Sequence, residues 1–171
     1  MTDKIYLVGF MASGKSTIAR SLAARLRWRA EDIDDLIEAR ERTTISDIFA
    51  KHGEPYFRGL EREMLTILRP MRHLVVATGG GTFADADNRT HINLDGVSVW
   101  IDVPLADLIP RIPLDGRRPL AADRPALERL YAARVESYRL AHVRVNASRT
   151  SVSGVVDRVL EAVHQLPPIV R

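Results

Sequence analysis

A chain of 171 residues, 46% of them apolar, is long enough for one domain with a buried core. No apolar run approaches the ~18 residues a membrane-spanning helix needs, and with no cysteine there is neither a disulfide framework nor a thiolate metal site. The formal charge of +3 is too small by itself to imply nucleic-acid binding. The start, MTDKIYLVG, carries no signal-peptide pattern, so a cytoplasmic protein without membrane or nucleic-acid partners is the expectation.

Taken along the chain, apolar runs suited to buried parallel strands occur at 5–9 (IYLVG), 73–78 (HLVVAT) and 97–103 (VSVWIDV). A weaker run lies at 142–147, and 27–33 is a further candidate. Helical spacing fills the intervals: 15–26 keeps Ile18, Leu22 and Leu26 on one face, and 34–42 keeps Leu36 and Ile37. Ile45, Ile48 and Phe49 fall together in the next stretch, and EPYFRGLEREMLTIL reads as a longer helix with Pro55 in its first turn. Later helices are expected over 85–93, 104–111, 124–139 and 152–165. Strands alternating with helices indicate an α/β domain with a mostly parallel sheet. PLDGRRPLAADRP, with three prolines and three arginines, is the candidate for a mobile excursion. The arginine-rich stretch 111–139 reads either as a solvated basic surface or as an electropositive face for small anions.

GFMASGKST (9–17) follows the first strand and opens the first helix. Its spacing G-x-x-x-x-G-K-[ST] is the phosphate-loop pattern. Glycines let successive N–H groups turn inward, and the following helix presents its positive end to an anion. Lys15 reaches the outer phosphates and Ser16 offers a hydroxyl to magnesium. Nucleotide binding follows. In many such proteins an Asp ends a second buried strand and holds the metal, but LVVAT runs into three glycines instead. EDIDD, after the presumed second strand, supplies carboxylates: on an extended segment Asp32 and Asp34 point to one side, one for the metal and one for the acceptor. The same residues also suit a helix start.

GEPYFRGLERE places Arg58 and Glu61 three apart, able to pair on a helix surface. Beyond a plain ion pair, Arg58 suits bidentate binding of an anionic acceptor, with Glu61 fixing its orientation. TGGGTF falls at the carboxyl end of a buried strand, where open α/β sheets bind ligands, and its glycines admit close approach to backbone.

Six segments in this order resemble the shikimate kinase family, small P-loop enzymes like the nucleoside monophosphate kinases, over nearly the whole chain. They are GFMASGKST, DIDDLIE, ISDIFAKHGEPYFRGLE, VVATGGG, RRPL and RVESY. The resemblance implies a single three-layer α/β/α domain over residues 1–171, with a five-stranded parallel sheet of order 2-3-1-4-5. It implies an acceptor-binding region over about residues 32–61 and a lid over about residues 111–124. It implies ATP-dependent phosphorylation of the 3-hydroxyl of shikimate, with magnesium, by a monomer. Gly9, Ala12, Ser13, Gly14, Lys15, Ser16 and Thr17 would hold the nucleotide phosphates, Ser16 and Asp32 the metal. Asp34 would bind the acceptor hydroxyls, and Arg58, Gly80, Gly81 and Arg134 the rest of the acceptor, the arginines gripping its carboxylate. Arg118 would be the lid arginine, with Lys15 and Asp34 the catalytic groups beside it; Arg111 and Arg149 would lie along the adenine. Ala12 stands where the family usually has glycine, Ala77 where some members carry a hydroxyl, and RPLA replaces the commoner R-P-L-L. Other readings of the same residues are a gluconate or nucleotide kinase, a nucleotide-binding regulator without turnover, or a nucleic-acid binder using the arginine-rich stretch.

Overall fold

The computed structural model describes residues 3–112 and 123–167. The strands are β1 (Lys4–Val8), β2 (Arg29–Asp32), β3 (Leu74–Ala77), β4 (Val97–Asp102) and β5 (Val143–Asn146). All pair in parallel, in the order β2-β3-β1-β4-β5. Every residue of β1, β3 and β4 is buried, which is what strands covered on both faces require. The helices are α1 (Lys15–Leu26), α2 (Ile33–Glu41), α3 (Ile45–Leu68), α4 (Ala86–Asp95), α5 (Leu105–Leu108), α6 (Arg124–Tyr138) and α7 (Val152–His164). Helix α1 packs on α7, and α3 on α2 and α4. No helix among the described residues is long and apolar enough to cross a membrane.

The register brings one end of every strand together. Ala77 pairs with Leu7 and with Asp32, Val8 with Trp100, and Asp102 with Asn146. The segments that leave these ends are the phosphate loop, the Asp32–Asp34 turn, the glycine triplet and the loop after β5. A parallel sheet thus places segments far apart in sequence along a single edge.

Local chemistry explains the element boundaries. Helix α3 is kinked at Gly53 (φ 78°, ψ 176°), a backbone conformation that suits glycine, so Pro55 begins a new helical turn, as its spacing predicts. The single helix expected over 104–111 is instead α5 followed by a 3₁₀ turn at Ile109–Arg111, because Pro110 has no N–H to continue an α-helix. A second 3₁₀ turn, Thr82–Ala84, follows the glycines and is not evident from the sequence.

At the opposite edge Lys4, the first residue of β1, is fully buried. Its ammonium donates to Leu68 O and Arg69 O at 2.9 Å and to Asp95 Oδ2 at 2.7 Å. The phenol of Tyr6 donates to the same carboxylate oxygen. Burying a charge is tolerable only with such a complete set of acceptors. The arrangement ties the C-terminal ends of α3 and α4 to β1.

Between β4 and β5, the Ser98 backbone N–H donates to His142 Nδ1 (3.1 Å), and Ser98 Oγ accepts from His142 N and donates to Asn93 Oδ1. Nδ1 can accept only in the neutral imidazole, and burial lowers the His142 pKa. Above the ordinary histidine value of about 6.5 both folded and unfolded chains hold it neutral. As pH falls through that value the unfolded chain takes the proton first, so stability drops until the lower folded pKa is passed. Denaturant titrations between pH about 7.5 and about 5 should show part of the acid destabilisation disappearing in His142→Asn, whose amide oxygen can replace Nδ1 as acceptor.

Candidate active site

The phosphate loop leaves β1 at Val8 and enters α1 at Lys15. Gly9 cannot carry a side chain, because a Cβ there would come within 2.7 Å of Ile101 O on β4. Gly14 caps α1 in a left-handed conformation (φ 89°). The first turn of α1 holds no acidic residue, so its positive end is left for an external anion. The Lys15 ammonium is buried beneath the loop and donates to Gly9 O and Phe10 O, both at 2.8 Å, and to Ser13 Oγ at 3.3 Å. Ala12 has φ 62°, a region costly for any residue with a Cβ, so this loop is strained where a glycine would not be.

Asp32 ends β2 and caps α2. Its Oδ1 accepts from the backbone N–H groups of Asp34 (2.9 Å) and Asp35 (3.4 Å), and its Oδ2 accepts from Ser16 Oγ. The expected extended D-x-D segment is therefore corrected: the chain turns helical after Asp32, because that carboxylate satisfies the first free N–H groups of α2. Asp34 sits in the first helical turn and still reaches the glycine triplet. Clustering there has a cost: burial, then the charges of Asp32 and Glu38, raise the Asp35 pKa, against Arg20.

None of the glycines at 79–81 has the positive φ found at Gly9, Gly14 and Gly53. What they contribute is room, and the chain's own charged side chains fill it. A Cβ on Gly79 would meet Asp34 Oδ1 and Thr82 Oγ1 at 3.0 Å and Glu61 Oε1 at 3.1 Å. One on Gly80 would meet Arg134 Nη1 at 3.1 Å and Met11 N at 3.3 Å; one on Gly81 would lie 2.8 Å from Arg58 Cζ. Hence Arg58, from α3, and Arg134, from α6, converge on adjacent residues of one strap that also touches the phosphate loop.

Each arginine is held by its own helix. Arg58 donates to Glu61 Oε2 (2.6 Å) and to Glu54 Oε1 (3.0 and 3.2 Å), one turn to either side. Glu61 is fully buried, so this is no surface ion pair. Glu61 also accepts from Thr82 Oγ1 at 2.5 Å. The Arg134 guanidinium lies 5.6 Å from the centre of the Phe10 ring, a cation–π distance. Tyr138, one turn on, donates its phenol to Gly80 O. Burial would lower the Arg58 pKa, but Glu61 and Glu54 outweigh it and raise the value. Burial lowers that of Arg134; Tyr138 opposes this and the neighbouring Arg58 adds to it. Burial raises the Tyr138 pKa, against the pull of Arg134. A cation depressed by burial and by a second cation makes a site that an anion stabilises.

Gly9, Ala12, Ser13, Gly14, Lys15, Ser16, Thr17, Asp32, Asp34, Arg58, Gly80, Gly81 and Arg134 thus share one edge of the sheet. Arg111 and Arg149 are exposed, in the 3₁₀ turn after α5 and in the loop after β5. Arg118 lies outside the described residues, as does 113–122 of the expected lid. Sequence reasoning did not find Glu54, Thr82 or the stacking of Phe10 under Arg134. Glu54 carried a signal, its i,i+4 spacing to Arg58; the other two depend on contacts between distant segments.

Two variants check this geometry by denaturant unfolding. Gly81→Ala should cost about 1–3 kcal/mol and displace Arg58, because the added methyl overlaps its guanidinium. Ala12→Gly should instead stabilise by about 0.5–1 kcal/mol, through relief of the left-handed strain.

A sequence model of one family, described as shikimate kinase, matches residues 11–164. The shikimate kinase of Sulfurihydrogenibium is 42% identical over 157 residues, which cover 91% of this chain and 95% of that one. The solved shikimate kinase from Acinetobacter baumannii in complex with shikimate superposes with a TM-score of 0.90 at 33% identity, over 96% of both chains. The crystal structure of shikimate kinase from Aquifex aeolicus gives a TM-score of 0.87 at 33% identity, over 94% of this chain and 96% of that one. With the site's geometry, these matches lead to one conclusion: this chain belongs to the shikimate kinase family.

Proposed function

We propose that the chain transfers the γ-phosphoryl group of ATP to the 3-hydroxyl of shikimate, giving shikimate 3-phosphate and ADP on the route to chorismate and aromatic amino acids. One observation carries this reading: Arg58 and Arg134 converge over Gly80 and Gly81, beside Asp34 and the phosphate loop. Paired guanidinium groups select a carboxylate-bearing acceptor. Gluconate also carries one, but the family relationship favours shikimate. A regulator without turnover has no evident use for an acceptor cleft so close to Lys15.

Phosphoryl transfer is mainly positioning and charge neutralisation. Loop N–H groups and the positive end of α1 cradle the phosphates. Lys15 leaves its loop acceptors for the outer phosphates and offsets charge on the moving group. Arg58 and Arg134 clasp the shikimate carboxylate, and Asp34 orients the acceptor hydroxyl in line and takes its proton. Ser16 and Asp32 form a hard-oxygen donor pair that fits magnesium, an ion content with few protein ligands beside phosphate oxygens and water. An ion held by these two side chains would supply positive charge to offset that of the nucleotide phosphates. Arg111 and Arg149, on the exposed rim, flank the adenine, and Arg118 is the further arginine that the family resemblance assigns to the phosphates. This reading makes the protein a cytoplasmic monomer with no nucleic-acid or membrane partner.

Coupled ADP release, with shikimate, gluconate and AMP offered separately, should respond to shikimate alone. Response to another acceptor, or to none, overturns the proposal. Arg58→Ala should raise the shikimate KM about 10- to 100-fold with a smaller effect on kcat. Lys15→Ala and Asp34→Asn should lower kcat by about 100-fold or more. Near-native turnover in Asp34→Asn would remove its role as base.

A further inference from the structure

We infer that Thr82 is a positioning residue for the acceptor carboxylate: by donating its hydroxyl proton to Glu61, it fixes the direction in which Arg58 points. The inference rests on the reading of Arg58 as the carboxylate ligand and adds a residue that this reading does not need.

Thr82 and Glu61 are both fully shielded from solvent. A carboxylate in that situation is oriented by its donors alone. Here each oxygen has one: Oε1 accepts from Thr82 Oγ1 at 2.5 Å and Oε2 from Arg58 Nη1 at 2.6 Å. Thr82 is itself held in place. Its backbone N–H donates to Gly79 O at 3.2 Å, and the 3₁₀ turn it opens continues from the glycine strap. A β-branched side chain is stiff about χ1, so backbone placement largely sets where the hydroxyl points.

The surroundings make this donor matter. Asp34 Oδ1, Thr82 Oγ1 and Glu61 Oε1 all lie within 3.1 Å of the point where a Gly79 Cβ would be. Thr82 therefore stands beside two carboxylates, and its proton goes to the one that holds Arg58. Without the hydroxyl, Glu61 Oε1 would be buried near Asp34 with its donor gone. The carboxylate would then rotate to share both oxygens with Arg58, drawing the guanidinium toward α3 and away from the acceptor. Glu54 does not substitute for this restraint, because it is largely exposed and grips the other side of the guanidinium.

The test compares Thr82→Val, which removes the hydroxyl at nearly constant shape, with Thr82→Ser, which keeps it. In Thr82→Val the shikimate KM, and its Kd without nucleotide, should rise about three- to ten-fold, with kcat and the ATP KM changed less than about two-fold. Thr82→Ser should restore most of the loss. Binding of the methyl ester of shikimate, which has no carboxylate for Arg58, should not differ between wild type and Thr82→Val. An unchanged KM in Thr82→Val, or an equal loss with acid and ester, overturns the inference. Should Thr82→Val not fold, Thr82→Ala also lacks the hydroxyl and is judged by the same comparison.

A ligand-free readout separates this inference from the functional reading. Side-chain ¹⁵N spectra should show a restrained Arg58 guanidinium, identified by its loss in Arg58→Lys, that becomes mobile in Thr82→Val. If the wild-type chain ignores shikimate, the functional reading fails, and the spectra still decide for or against Thr82. An equally restrained Arg58 in Thr82→Val overturns it.

Discussion

Two guanidinium groups repel, so bringing Arg58 and Arg134 to neighbouring residues of one strap needs both counter-charge and space. Counter-charge comes from Glu61 and Glu54 on the helix that carries Arg58. For Arg134 it is weaker: a phenol and the face of Phe10 stand nearest its guanidinium, with Glu61 and Glu54 acting less strongly. Space comes from Gly80 and Gly81, whose missing side chains leave the volumes the guanidinium groups enter. The cleft is therefore left positive on the α6 side and balanced on the α3 side. Much of the site follows from that asymmetry.

The nucleotide half is built on a different device. Its positive potential comes from backbone N–H groups and from a helix start free of acidic residues, not from a cluster of side chains. Lys15 is held beneath the loop by the carbonyl oxygens of Gly9 and Phe10. The two halves meet at Gly80, which lies against both Met11 N and Arg134. On the proposed reading, a donor held by amides and an acceptor held by guanidinium groups would lie side by side without a shared ligand.

Asp32 illustrates how one residue can serve two purposes. Sequence alone leaves a helix start and a metal-side carboxylate as competing accounts of EDIDD. In the folded chain one oxygen caps α2, as the helix-start account has it, and the other accepts from Ser16. The cap and the Ser16 bond together fix the direction of the carboxylate at the mouth of the phosphate loop.

Wherever the chemistry is local, the sequence by itself determined the outcome. The phosphate loop, the strands of unbroken apolar character, the break at Gly53 and the Arg58–Glu61 pair all depend on residues within a turn or two of each other. Periodicity, glycine conformation and helical spacing therefore report them directly. Tertiary structure alone decided what crosses between segments. Thr82 donates to a carboxylate 21 residues away, Tyr138 to a carbonyl 58 residues away, and Lys4 to acceptors on two helix ends. Nothing in the spacing of those residues marks them, because strand order and register bring them together. The glycine triplet lies on the boundary: its position could be read from the chain, but its purpose, to make room for arginines from two helices, needed the packed fold.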